Sequence, residues 1–257
     1  MLPSGLNVFD IILFVLIVAL SFFIKGITGF GNTLVLSPLL SFWLPSRIIT
    51  PLDLLLGLPA NVWMAYRERR HLQWPVVLPL SLLLLVGILP GIWLLKVVDG
   101  RLLKALLGLA VVACAAEMVL RKQAQAGRRQ PKPVSMALIG AVTGVLCGMF
   151  GVGAPLAAYI SRTTDGKGPF RANLCVVFLV ENLFRLGLYI ITGVLSIESL
   201  KLTLLLLPAA ALGLVLGMKV DLGLKPEMTR KAVILLMAAG GLSLFMTNLS
   251  LLWPFRN

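Results

Sequence analysis

The sequence is poor in charge, poor in acid and almost without histidine. Only 13% of its 257 residues are charged, against about 25% in soluble domains. A water-soluble enzyme and a solvated disordered chain are both excluded by that shortage. The single histidine, His71, lies in a charged loop, which removes a histidine-based zinc or catalytic site. Cys114, Cys147 and Cys175 are scattered through apolar runs and make neither a disulfide framework nor a metal cluster. No cofactor or metal is expected. Nothing resembles a nucleotide-binding loop, so ATP drive within the chain is not expected either. The N-terminus lacks a basic region and a small-residue cleavage site, so the run Val8 to Ile24 reads as a retained helix.

What the chain has instead is oil. Hydrophobic residues make up 59% and mean hydropathy is +0.99. A spanning helix needs about 20 apolar residues, and one core cannot hide this much apolar surface. The chain therefore reads as an all-α membrane protein with several crossings. Its net charge of +13 would suggest nucleic acid on a soluble protein. Here no aromatic residues interleave a basic face, and basic residues crowd the cytoplasmic loops of membrane proteins. The expected partner is the lipid bilayer, not nucleic acid. Trp43, Trp63, Trp74 and Trp93 read as interfacial belt residues.

The apolar runs fall into two similar sets. The first is 8–44, broken by Lys25-Gly26-Ile27-Thr28-Gly29-Phe30-Gly31-Asn32, and is followed by spans at 48–66, 75–95 and 102–120. A polar, basic linker covers 121–133. The second set is 134–160, broken around Gly148, Gly151, Gly153 and Pro155, then spans at 170–192, 200–218 and 231–245. Gly26, Gly29 and Gly31 have the same spacing as Gly148, Gly151 and Gly153. Asn61 and Asn182 fall at matching places in the next span. The chain thus divides into repeats at 1–120 and 134–257.

Charge chooses between two topologies. If each broken stretch is a re-entrant hairpin, 15 Lys/Arg lie inside and 6 outside. If each crosses once, 10 lie inside and 11 outside. The positive-inside rule prefers the hairpins. A hairpin plus three spans makes an odd number of crossings, so the halves are inverted, the linker is cytoplasmic and both termini lie outside. Inverted repeats with broken helices at the midplane are a recurring transporter plan.

Irregular backbone at membrane depth survives only against protein or a wet cavity. Glycines there permit sharp turns and bare the N–H groups, and helix starts favour negative charge. Two opposed hairpins would aim Gly29, Gly31, Asn32, Gly151 and Gly153 at one point suited to a small anion. Gly144 with Gly148 reads as close helix packing instead. Intramembrane polar residues are costly enough to suggest function. Arg185 and Glu181 are an i, i+4 pair, either structural or an anion-attracting charge with its counter-ion or proton carrier. Asn61 and Asn182 are either interhelical glue or donors to anion oxygens. Lys25 reads first as snorkelling to the interface, with the cavity as the other reading. Arg171 is a plain cytoplasmic charge or a gate, and Asp53 is a candidate proton site.

Several of these features resemble the TauE/SafE family, the sulfite-exporter-like permeases. They are the Gly-x-x-Gly-x-Gly turn of each half, Tyr66-Arg67-Glu68-Arg69-Arg70, and the stretch Pro208 to Gly217, and the resemblance covers about Asp10 to Phe245. The family usually has a glycine run after the turn, where this chain has Gly31-Asn32-Thr33 and Gly153-Ala154-Pro155. The resemblance implies a transporter of small anions, often sulfite, sulfonates or sulfoacetate-like compounds. The combined expectation is a secondary anion transporter of a bacterial-type inner membrane, working by alternating access and coupled to protons through Glu181 or Asp53. A homodimer is compatible with it. An anion channel or passive scaffold is the alternative, and an intramembrane enzyme lacks a nucleophile–base pair.

Overall fold

The computed structural model describes residues 7–120, 133–164, 166–220, 234–235, 238–246 and 248. The basic linker and most of the approach to the last expected span lie outside them. The described residues are almost entirely helical, and five helices are long and apolar enough to cross a membrane.

The first broken stretch is two helices, α1 (Val8–Thr28) and α2 (Asn32–Leu40). Asn7 and Asp10 box the start of α1, with the Asn7 N–H donating to Asp10 Oδ2 at 3.0 Å. Gly29 stops it at φ 89°, its N–H donating to the Lys25 carbonyl at 2.7 Å. Gly31, at φ 90°, starts α2. Left-handed backbone of this kind costs an L side chain about 1–2 kcal/mol, so two glycines in three residues fix the break. Then come α3 (Ser46–Glu68), a 3-10 turn at Arg69–His71, α4 (Trp74–Val97) and α5 (Gly100–Leu120).

The second half repeats the order. Here α6 (Pro133–Phe150) ends at Gly151, φ 75°, and α7 (Ala154–Thr163) begins with Pro155 in its first turn. The chain continues in α8 (Lys167–Ile191) and α9 (Ile197–Val220), and residues 238–246 are helical.

Glycines set the packing. Helix α6 lies along α4 with Gly144 on Gly87 and Gly148 on Gly91, so the two run in the same direction. Helix α1 lies along α9 with Gly26 on Gly217 and Ala19 against Gly213. The contacts match in detail. Gly87 and Gly91 abut the carbonyls of Ala141 and Val145, and Gly213 and Gly217 abut those of Ala19 and Phe23. The spacing from Ala19 to Ala141 and from Phe23 to Val145 is that of the repeated glycine turns. Lipid gives helices no hydrophobic reason to associate, so close approach through small residues supplies the attraction. Gly144 and Gly148 pack helices, as their spacing suggested. Helices α3 and α8 pack on each other between these pairs.

Both broken segments are hairpins, and they open at opposite ends of α4. Phe14, early in α1, meets Trp43, after α2, with ring centroids 6.2 Å apart. That mouth lies at the end of α4, where Arg47 donates to the Lys96 carbonyl at 2.6 Å. The second mouth lies at the start of α4. There Asn173 and Gln73 exchange hydrogen bonds of 2.8 and 3.1 Å, and Gly168 packs on His71. Trp43, Trp63, Trp74 and Trp93 are all exposed on the outer face.

Candidate functional site

A polar hollow lies where the two glycine breaks face α3 and α8. Helical spacing explains who reaches it. Asp53, Gly57 and Asn61 are four apart on α3, and Phe178, Glu181, Asn182 and Arg185 form one stripe on α8. The breaks add Phe30, Gly31, Asn32, Thr33, Gly151, Gly153 and Ala154, and α1 adds Lys25.

The charged groups form two linked sets. Arg185 is 2% exposed, and its Nε lies 3.2 Å from Glu181 Oε1. Its Nη1 donates to the Cys147 carbonyl and its Nη2 to Asn182 Oδ1 at 3.2 Å. A guanidinium has five N–H donors, so three make no hydrogen bond here, among them the Nε–H that faces Glu181. Asp53 is held by Asn32 Nδ2 at 2.7 Å and by the Thr33 hydroxyl at 2.5 Å. Its carboxylate therefore sits at the start of α2, where free backbone N–H groups favour an anion. Lys25 Nζ donates to Asn32 Oδ1 at 3.1 Å. The sets meet at Gly151, where a Cβ would lie 3.0 Å from Asp53 Oδ2 and 3.2 Å from Arg185 Nη1. Among the described residues no three His, Cys, Asp or Glu side chains gather as a metal site.

The carbonyls freed by each break are collected by side chains. At the end of α6, Cys147, Gly148 and Met149 accept from Arg185, from the Tyr189 hydroxyl at 3.2 Å and from the Thr50 hydroxyl at 3.3 Å. At the end of α1, Ile27 accepts from Arg171, and Phe30 from the Thr28 hydroxyl at 2.6 Å. Cations suit helix C-termini, and buried carbonyls require partners. An arginine of α8 thus caps the first helix of both hairpins.

Gly31, Asn32, Asn61, Gly151, Gly153, Asn182, Arg185, Glu181, Lys25 and Asp53, singled out in the sequence, all line the hollow. Two others do not. Gly29 faces the Arg171 side chain, and Arg171 is turned to the backbone of the first break rather than standing as a plain cytoplasmic charge. Lys25 does not snorkel: it is 2% exposed and turned inward onto the Asn32 side-chain oxygen. Sequence reasoning missed Thr33, Gly57 and Phe178. A signal existed for the last two, since each stands four residues before an asparagine already singled out. Asn61 Oδ1 is buried without a hydrogen-bond partner in this lining.

Comparison with known proteins gives two matches. The family model described as "Sulfite exporter TauE/SafE" matches residues 13–244. The probable inner membrane transporter protein TsaS of Comamonas testosteroni is 30% identical over 195 residues, covering 75% of this chain and 81% of its own. No solved structure matches.

Proposed function

The chain belongs to the sulfite exporter TauE/SafE family and is a membrane transporter, not an enzyme; from that premise we propose that its cargo is a small sulfur-containing anion, sulfite or an organosulfonate. The membrane would be a bacterial-type inner membrane, as the name of the Comamonas relative says of that protein. The anion binds in the hollow between the two breaks. The spare N–H groups of Arg185 and the amides of Asn61 and Asn182 bond its oxygens, while Gly31, Gly151 and Gly153 let it approach bare backbone. The observation that carries this reading is the meeting of two glycine breaks, from separate halves, on one hollow that also holds Arg185, Asn61 and Asn182.

In this reading the halves, 1–120 and 134–257, are inverted repeats joined by a cytoplasmic linker, with both termini outside. The opposed hairpin mouths and the matched glycine contacts support it. Rocking of one half against the other exposes the hollow alternately, and proton movement accompanies the anion. The hollow is lined within one copy, so a homodimer would hold two separate sites.

The test is counterflow in proteoliposomes of the purified protein. Vesicles loaded with unlabelled sulfite or sulfoacetate should take up labelled anion faster than empty ones, and saturably. Arg185→Gln protein that still folds should bind at least about tenfold more weakly, the loss of one charge-assisted hydrogen bond. Uptake that is linear in concentration and unaffected by internal anion overturns the carrier in favour of a channel. Unchanged affinity in the variant removes Arg185 from the site.

A further inference from the structure

We propose that Asp53 carries the coupled proton, and that its ionised carboxylate holds the anion's seat at the start of α2 until it is protonated. The proposal rests on the reading that the hollow binds an anion. Two cations, Lys25 and Arg185, and two carboxylates, Asp53 and Glu181, line the hollow. As ionised groups their charges cancel. An anion entering alone would add an uncompensated charge in a buried site, which is expensive. Uptake of one proton by one carboxylate keeps the balance.

The geometry points to Asp53 over Glu181. Glu181 is pinned to Arg185 at 3.2 Å with both side chains buried, and a proton there would strand the guanidinium charge. The hydrogen-bond partners of Asp53 are neutral. The Thr33 hydroxyl donates to the ionised carboxylate and can turn to accept from the protonated one. The proton arrives from water at the carboxylate, and no other bond is made or broken. Asn32 Nδ2 then loses its anionic partner and becomes available to the cargo beside the start of α2.

The groups facing Asp53 come from four elements. Lys25 is on α1, and Cys147 is on α6 behind Gly151. Arg185, Glu181 and Tyr189 are on α8. Helix α2 offers the uncharged Asn32 and Thr33. Among the described residues, no titratable side chain of α5, α7 or α9 lines the hollow.

The experiment measures binding of methanesulfonate, whose only ionisable group is its sulfonate, to the full-length protein across about pH 5 to 8, with proton uptake followed in weak buffer by a dye. The sulfonate does not titrate in that range, so any proton taken up belongs to the protein. Wild type should take up one proton per anion, and its affinity should fall about tenfold per pH unit above the titration. Asp53→Asn should bind with flat pH dependence and no proton uptake, and should lose accumulation driven by a proton gradient. Glu181→Gln should keep the proton uptake. If Asp53→Asn does not fold, Thr33→Val replaces it and should displace the pH profile. Proton uptake that persists in Asp53→Asn, or an unmoved profile in Thr33→Val, overturns the assignment. Wild-type binding without proton uptake also overturns it while leaving the anion reading intact. No wild-type binding at all overturns the anion reading, and this proposal with it.

Discussion

Glu181 and Arg185 offer the sharpest energetic test, because the cost of breaking the pair can be worked from its geometry. The charges lie 3.2 Å apart and both side chains are buried. At an effective dielectric of about 20 the attraction is about 5 kcal/mol. Removing one partner of a buried pair typically costs about 3–5 kcal/mol, since the other charge stays buried and unpaired. Glu181→Gln should sit at the lower end, because Arg185 keeps the Cys147 carbonyl and Asn182. Arg185→Gln should cost about 1 kcal/mol more, as it also removes the charged one of the two donors to that carbonyl, leaving the Gly151 N–H. The double variant leaves neither charge of the pair unpartnered and should recover about 2–4 kcal/mol relative to the sum of the singles. The assay is reversible unfolding in mixed micelles, with all four proteins at one lipid composition. Strict additivity, with coupling below about 0.5 kcal/mol, would refute the reasoning and leave two independent polar residues on one helix.

Two glycine comparisons follow. Gly91→Ala and Gly217→Ala would each drive a methyl into facing backbone, of Val145 with Gly148 and of Phe23 with Gly26. Each should lower stability by about 1–3 kcal/mol, read as a drop in melting temperature. Gly187→Ala, in open space on α8, should be neutral or stabilise by up to about 1 kcal/mol. The second comparison separates strain from site. Gly151 and Gly166 have φ of 75° and 87°, so an alanine at either strains the backbone by about 1–3 kcal/mol. Only the Gly151 methyl would crowd Asp53 and Arg185. Gly151→Ala should therefore lose transport at a melting temperature like that of Gly166→Ala, which should keep it. Equal transport in the two would remove Gly151 from the site.

The breaks were legible because a left-handed turn can be written only in glycine, and the same spacing was written twice. The convergence of Asn61, Glu181, Asn182 and Arg185 on one hollow was legible for a different reason. Polar groups in an apolar span have few places to go except inward. Three features were not legible. The inward turn of Lys25 depends on Asn32 lying just past a break, so a lysine near a helix end reads first as snorkelling until the bend is known. Arg171 meets the Ile27 carbonyl across 144 positions, and a backbone acceptor leaves no mark in the sequence. Asp53 looks like any acid near a helix start until Asn32 and Thr33 are folded onto it. The relative orientation of the hairpins came from counting basic residues, a signal about insertion rather than packing.

Arg171 and Arg185 stand 14 residues apart on α8, about 21 Å along its axis. Each grips the tip of a different hairpin, so the helix works as a crossbar with a clamp near either end. A rigid bar held at two points cannot tilt at one without levering the other. On the proposed alternating-access cycle, whatever draws the first tip away from its arginine should also shift the second, the two tips being joined by a single stretch of 25 residues.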